Sequence, residues 1–289
     1  MQGTVIIKHG GFYKVSCNGH IYSCFLSGKR KHFGKHTIVA GDHVNFELPA
    51  DGSEEGYILD VFPRENFIPR PGVANVDQLL LIAAVREPDH SLYQLDKLLA
   101  VAHYYGISPS LCISKMDLGN SDDEHFLLSY YRNVPIKIFF VGENDSLAEL
   151  MAYLERKVTV FAGNSGVGKS TLINRLMGRE VQEVNEISLK LNRGKHTTRT
   201  VEFFSYAEGF IIDTPGFSSL SFPDDMSKEK LKELYEEYRA EDENCKFNNC
   251  VHIHEPGCRI KELVGAGHFS PERYGNYCRL FQEIEARQL

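Results

Sequence analysis

No run of apolar residues in this chain is long enough to cross a bilayer. The longest, Leu79 to Val85, has seven residues, against about twenty for a transmembrane helix, and residues 1–30 lack the apolar core of a signal peptide. Low-complexity tracts and internal repeats are missing too. With 42% hydrophobic and 25% charged residues and a mean hydropathy of −0.29, the composition excludes a disordered tail, a collagenous fibre and a polytopic membrane protein. Excess positive charge is also lacking. The net charge of −7 argues against a protein that coats nucleic acid, because phosphate binding rests on Lys and Arg. A cytoplasmic protein with no membrane association is expected.

At 289 residues the chain exceeds the usual size of one domain, which favours two or three. Its charge is uneven. Residues 1–50 hold six basic side chains (Lys8, Lys14, Lys29, Arg30, Lys31, Lys35) against Asp42 and Glu47, a net of +4 that leaves −11 for the rest. The seven cysteines are an odd number, better suited to thiols or metal ligands in a reducing compartment than to full pairing.

Residues 1–70 alternate short β-type runs (Gly3 to His9, Phe12 to Cys17, His20 to Leu26, His43 to Leu48, Gly56 to Phe62) with Gly-rich and basic turns, which predicts a small barrel. Pro63, Pro69, Pro71 and Gly72 mark the first boundary. From Val76, buried-type strands (Gln78 to Val85, Ser110 to Ser114, Ile136 to Val141, Val158 to Ala162, Thr200 to Tyr206, Phe210 to Asp213) alternate with helices over Leu92 to Tyr105, Asp122 to Tyr131, Leu147 to Glu155 and Lys169 to Met177. This is the pattern of an α/β domain with a parallel sheet. A charged helix over Ser227 to Asp242, a Cys/His cluster and an amphipathic helix from Pro271 follow. The expected domains are 1–70, 71–222 and 223–289.

Gly163-Asn164-Ser165-Gly166-Val167-Gly168-Lys169-Ser170 satisfies G-x-x-x-x-G-K-[ST] between an apolar strand and a helix that continues through Thr171. Glycines let successive N–H groups turn around a β-phosphate, Lys169 reaches the β/γ oxygens and Ser170 can ligate Mg²⁺. Asp213-Thr214-Pro215-Gly216 ends a second apolar strand. There Asp213 is expected to hold the metal and the Gly216 N–H to sense the γ-phosphate. Between them, Gly194-Lys195-His196-Thr197-Thr198-Arg199 reads as a switch loop in which Thr197 or Thr198 contacts Mg²⁺ and the γ-phosphate.

Ser114-Lys115-Met116-Asp117 resembles the [NT]-K-x-D motif of GTPases, whose carboxylate accepts from guanine N1–H and the 2-amino group, donors that adenine lacks. Ser114 replaces the usual Asn or Thr and shortens the reach of an Asn. The strand end that normally backs guanine O6 is represented only by Val141-Gly142-Glu143-Asn144, and no residue is assigned there. Order is decisive, because this motif precedes the P-loop instead of following it. That is a circular permutation, which leaves the site unchanged because it is assembled at the carboxyl ends of parallel strands.

Cys245, Cys250, His252 and Cys258 form C-x4-C-x-H-x5-C within fourteen residues, a donor set suited to tetrahedral Zn²⁺. His254 is the competing imidazole. Cys17, Cys24, Cys112 and Cys278 sit in apolar patterns and are expected in the core. The stripe Tyr274, Tyr277, Cys278, Phe281 and Ile284 is expected to pack as core or docking surface.

With these motifs in this order, the chain resembles the ribosome small-subunit-dependent GTPase family, RsgA, over its whole length. The resemblance implies an N-terminal OB-fold, a permuted GTPase domain and a mostly helical zinc domain. It also implies slow GTP hydrolysis stimulated by the small ribosomal subunit, in late maturation of that subunit. GTP/GDP, Mg²⁺ and Zn²⁺ are the expected cofactors, the small subunit and its rRNA the expected partners, and a monomer the expected state.

Phe217 follows D-T-P-G where many GTPases place a water-orienting Gln, so another group must position the water. His196 is the candidate, with Lys169 and Thr198 assisting, and the resemblance points to the same histidine. Lys29-Arg30-Lys31 with His32 and Lys35 is the expected rRNA contact, helped by the zinc domain. Two rival classes are a P-loop ATPase or small-molecule kinase, and an RNA-binding assembly module gated by nucleotide with little turnover.

Overall fold

The computed structural model describes residues 1–9, 11–27, 37–50, 55–178, 201–213, 220–224 and 226–287. Five strands, β1 (Gln2–His9), β2 (Phe12–Cys17), β3 (His20–Leu26), β4 (His43–Glu47) and β5 (Glu55–Val61), close a barrel in the order β1-β2-β3-β5-β4. Among the described residues of the barrel, only β3 and β5 pair in parallel. This is the Greek-key arrangement of an OB-fold. Alternate side chains turn inward, so Val5, Tyr13, Val15, Cys17, Cys24, Val44, Phe46 and Ile58 form its core.

The Pro-rich stretch that follows is a short hairpin, β6 (Phe67–Pro69) and β7 (Gly72–Ala74). It adheres to the barrel: the Ala74 N–H donates to Ala40 O at 2.9 Å and Asn75 Nδ2 to Gly41 O at 2.9 Å. A Cβ at Gly41 would sit 1.9 Å from Ala74 O, so only glycine fits.

A six-stranded sheet in the order β10-β9-β8-β11-β13-β12 is built from β8 (Gln78–Ala84), β9 (Ser108–Ser114), β10 (Lys137–Val141), β11 (Val158–Ala162), β12 (Glu202–Tyr206) and β13 (Gly209–Asp213). Every residue of β8 is buried, as a near-continuous apolar run predicts. Helices α1 (Leu92–Tyr104), α2 (Ser121–Tyr130), α3 (Ala148–Leu154) and α4 (Lys169–Met177) fall where the periodicity places them.

The charged helix expected over Ser227 to Asp242 is instead three short pieces: a 3-10 turn Glu229–Leu234, helix α5 (Glu236–Arg239) and a 3-10 turn Asp242–Asn244. Tyr235 breaks it at φ −101° and ψ 88°. Its ring and that of Tyr238 are buried and stacked with centroids 5.2 Å apart, so packing overrides the charged, helix-prone sequence. Helices α6 (Arg259–Gly265) and α7 (Pro271–Arg287) complete the chain. Along α7, Tyr277, Phe281 and Ile284 are buried. Tyr274 and Cys278 are half-buried, and Cys278 thereby departs from the expected core cysteines; Cys17, Cys24 and Cys112 are buried.

Two compact units emerge from the contacts. One holds Met1–Leu79, Ala148–Ala162 and Ser170–Phe217; the other holds Leu80–Leu147, Gly163–Lys169 and Ser218–Leu289. The second contains the guanine-type motif, the P-loop glycines and the Cys/His region. Among the described residues no helix is long and apolar enough to cross a membrane.

Candidate functional site

Ser114 closes β9 and is buried. Its hydroxyl lies 2.5 Å from the Val167 carbonyl oxygen and 3.2 Å from that of Ala83, and its single proton is donated to the nearer. The first residue of S-K-M-D thus ties its strand to the P-loop backbone, a contact well within the reach of a serine. Lys115 takes a left-handed conformation, φ +58°, and its ammonium donates to the Glu87 carbonyl. Met116 and Asp117 begin a 3-10 turn, where Asp117 Oδ1 accepts the Glu143 N–H at 3.1 Å.

That last bond identifies a segment the sequence left unassigned. Gly142 donates its N–H to Asp145 Oδ2 at 2.6 Å, and a Cβ there would come within 3.4 Å of the Asp117 amide nitrogen. The loop after β10 therefore lies against Asp117. The one available signal was its position at a strand's carboxyl end.

The P-loop is shaped by glycine. A Cβ at Gly163 would meet Ile82 O at 2.2 Å, and Gly166 and Gly168 lie at φ +82° and +90°, where other residues are strained. Asn164, Ser165 and Gly166 are exposed, while Val167 is buried as the loop's anchor. Lys169 opens α4, and its ammonium donates to Gly163 O at 2.9 Å and Asn164 O at 3.4 Å. Ser170 and Thr171 are exposed in the first turn of this helix, whose N-terminal N–H groups lack intrahelical partners and favour an anion. Asp213 ends β13 in register with Phe161 of β11 and Glu202 of β12. Burial, then the Asp213 charge, raises the Glu202 carboxyl above its ordinary pKa. Ser170 and Asp213 offer hard oxygen donors of the kind Mg²⁺ takes. His196, Thr197, Thr198, Gly216, Phe217 and the basic turn Lys29-Arg30-Lys31 with His32 and Lys35 lie outside the described residues.

Cys245, Cys250, His252 and Cys258 come together, all buried, with one donor atom from each lying within 4.8 Å of the others. His252 Nδ1 is 3.7, 3.5 and 3.4 Å from the three sulfurs. A tetrahedral zinc with ordinary bond lengths sets N···S edges at ~3.5 Å, so the donor set fits such an ion. His254 is exposed and outside the cluster. Burial pushes the Cys250 thiol up to about 12, a shift that a bound cation reverses. His252 Nε2 faces Asp242 Oδ1 at 3.5 Å, and the Tyr274 and Tyr277 hydroxyls donate to the carbonyls of His252 and Val251, each at 2.7 Å. These outer contacts fix the ligand loop.

A buried ion network joins this region to α1. Arg273 donates to Asp96 at 2.5 Å and to Glu237 at 2.7 Å, stacks 4.8 Å from the Tyr235 ring centroid, and shares Asp96 with Asn276 and the Tyr130 hydroxyl. Sequence reading missed it. Asp96 and Arg273 are 177 residues apart, and charged residues in helices ordinarily face water.

Comparison with known proteins agrees with this geometry. The sequence model of the RsgA GTPase family matches residues 61–223, and that of the RsgA N-terminal domain matches 2–58. A curated relative from Staphylococcus carnosus, named small ribosomal subunit biogenesis GTPase RsgA, is 38% identical over 99% of this chain and 98% of its own. The crystal structure of YloQ, described as a circularly permuted GTPase, superposes with TM-score 0.82 at 33% identity, covering 99% of this chain and 95% of that one. YjeQ from Thermotoga maritima gives TM-score 0.80 at 33% identity and 98% coverage of both chains.

Proposed function

The chain belongs to the RsgA GTPase family, and from that membership we propose that it hydrolyses GTP on the small ribosomal subunit, as a late maturation factor whose rRNA binding is gated by nucleotide. Its GTPase activity follows from the family. The observation that carries the finer reading is the bond from Ser114 to the Val167 carbonyl, which supports a single nucleotide site assembled from motifs in permuted order.

In this reading Ser114, Lys115, Met116 and Asp117 hold guanine, and Gly163 to Ser170 with Thr171 hold the phosphates. Ser170, Thr198 and Asp213 hold Mg²⁺, with Thr197 and Gly216 at the γ-phosphate. Lys169 stabilises charge on the leaving oxygens and His196 positions water. Cys245, Cys250, His252 and Cys258 hold zinc. The protein acts as a cytoplasmic monomer of three domains, 1–70, 71–222 and 223–289, with the basic turn of the first on rRNA.

Turnover of GTP and ATP with and without purified small subunits tests this. GTP-selective turnover that rises with subunits is expected, and Asp117→Asn should abolish the selectivity. Equal competition by ATP would favour an ATPase, and failure of multiple turnover at saturating subunits would leave a binding module. A His196→Ala protein that kept full stimulated turnover would remove that histidine from its role.

A further inference from the structure

The four residues between Cys245 and Cys250 are Lys246, Phe247, Asn248 and Asn249, and all four are exposed. Most aromatic residues around them are buried: Tyr235, Tyr238, Phe269, Tyr277 and Phe281 lie in the interior. Phe247 is 40% exposed and contributes little to any core. The loop is nevertheless fixed. Both ends are cluster cysteines, the Cys250 N–H donates to Phe247 O at 3.1 Å, and the Lys246 N–H donates to Gly257 O at 3.1 Å. The Lys246 stem lies 3.3 Å from where a Cβ at Gly257 would be, so the neighbouring turn braces it. Its ammonium stands 5.6 Å from the Phe247 ring centroid, and among the described residues neither Asn248 nor Asn249 has a side-chain hydrogen-bond partner.

A rigid loop that presents an aromatic ring, a cation and two free amides matches the needs of an unpaired nucleotide. The ring stacks on the base, the amides donate to and accept from its edge, and the ammonium meets phosphate. Protein interfaces also use aromatic anchors, but these fill apolar pockets, and the ring here is flanked by a cation and two amides. We propose that Lys246, Phe247, Asn248 and Asn249 form a base-stacking site for an unpaired nucleotide of ribosomal RNA. This rests on the ribosomal reading above and assigns it a contact point.

The chain contains no tryptophan, so Phe247→Trp places its one indole on this loop. Adding purified small subunits should quench that emission by stacking, whereas Phe126→Trp, at an exposed ring on α2, should stay bright. Phe247→Ala should bind subunits about ten-fold more weakly, with metal content per chain and GTP affinity unchanged, and Phe247→Tyr should restore binding. A benzoyl-phenylalanine crosslinker at position 247 should yield an RNase-sensitive adduct. Unchanged affinity of Phe247→Ala, equal quenching at both tryptophans, or an adduct only to a ribosomal protein would overturn the assignment while the wild type still binds. If wild-type protein neither binds subunits nor responds to them in turnover, the ribosomal reading itself fails and this site falls with it.

Discussion

The loop Gly163 to Lys169 and the segment Cys245 to Cys258 are both short and polar, yet they are held in different ways. The P-loop takes its shape from backbone: glycines that approach Ile82 and adopt positive φ, one buried valine, and a serine hydroxyl on its carbonyl. The Cys/His segment takes its shape from side chains, four clustered donors backed by Tyr274, Tyr277 and Asp242. The first loop leans on β8, every residue of which is buried. The second gathers four buried donors suited to a metal ion, whose binding would then contribute to its order.

The largest effect should separate the two regions cleanly. Removing the metal with a strong chelator, or replacing Cys250 by Ser, forfeits binding worth on the order of 10–16 kcal/mol in small zinc modules. Hydrogen exchange should then rise throughout residues 245–258 while GDP affinity stays within a few-fold of wild type. Loss of nucleotide binding in step with metal would show that the P-loop is less self-sufficient than its geometry argues.

Arg273→Met should be next. It leaves Asp96 and Glu237 buried without their cation, which costs about 3–5 kcal/mol, read as a lower denaturation midpoint. Burial already holds the Asp96 carboxyl above its ordinary pKa, so the variant should recover part of its stability as pH falls and Asp96 protonates. Ser114→Ala comes third. The Val167 carbonyl loses its donor, a cost of about 1–3 kcal/mol for a buried acceptor, expected as weaker GDP binding with metal content unchanged.

The smallest effect concerns Glu283 on α7. Burial pushes its pKa up, but the Lys97 ammonium at 2.7 Å and the Tyr93 hydroxyl outweigh this and hold it at about 2 against an ordinary 4.5. A carboxyl depressed on folding stabilises the fold above its unfolded value and loses that contribution as pH falls. Glu283→Gln should lower the melting temperature near neutrality and flatten its acid limb between pH 4.5 and 2, so that variant and wild type converge at the acid end.

The same contrast explains what could be read from sequence. Backbone-shaped sites announce themselves, because only glycine satisfies Gly163, Gly166 and Gly168 and the spacing to Lys169 is fixed by the phosphate it wraps. Metal-type donors are equally legible, since Cys245, Cys250, His252 and Cys258 have few other reasons to cluster. Contacts made by ordinary residues were not. Ser114 looks like a weakened asparagine until Val167 is seen beside it. Gly142 to Asp145 carries no motif, and Asp96, Glu237 and Arg273 read as solvated charges until three elements converge. The broken helix after Ser227 failed for the same reason, because the buried stack of Tyr235 and Tyr238 outweighs local propensity.

The network around Asp96 bears on how such a protein can be taken apart or recombined. A nucleotide-binding segment cut free at residue 222 would keep Asp96 in α1 but lose Arg273, Asn276 and Glu237, stranding a carboxylate in a site built for a counter-ion. Modularity at the level of motifs therefore does not extend to the folded parts. A graft or truncation that respects the motif boundaries would also have to rewrite position 96.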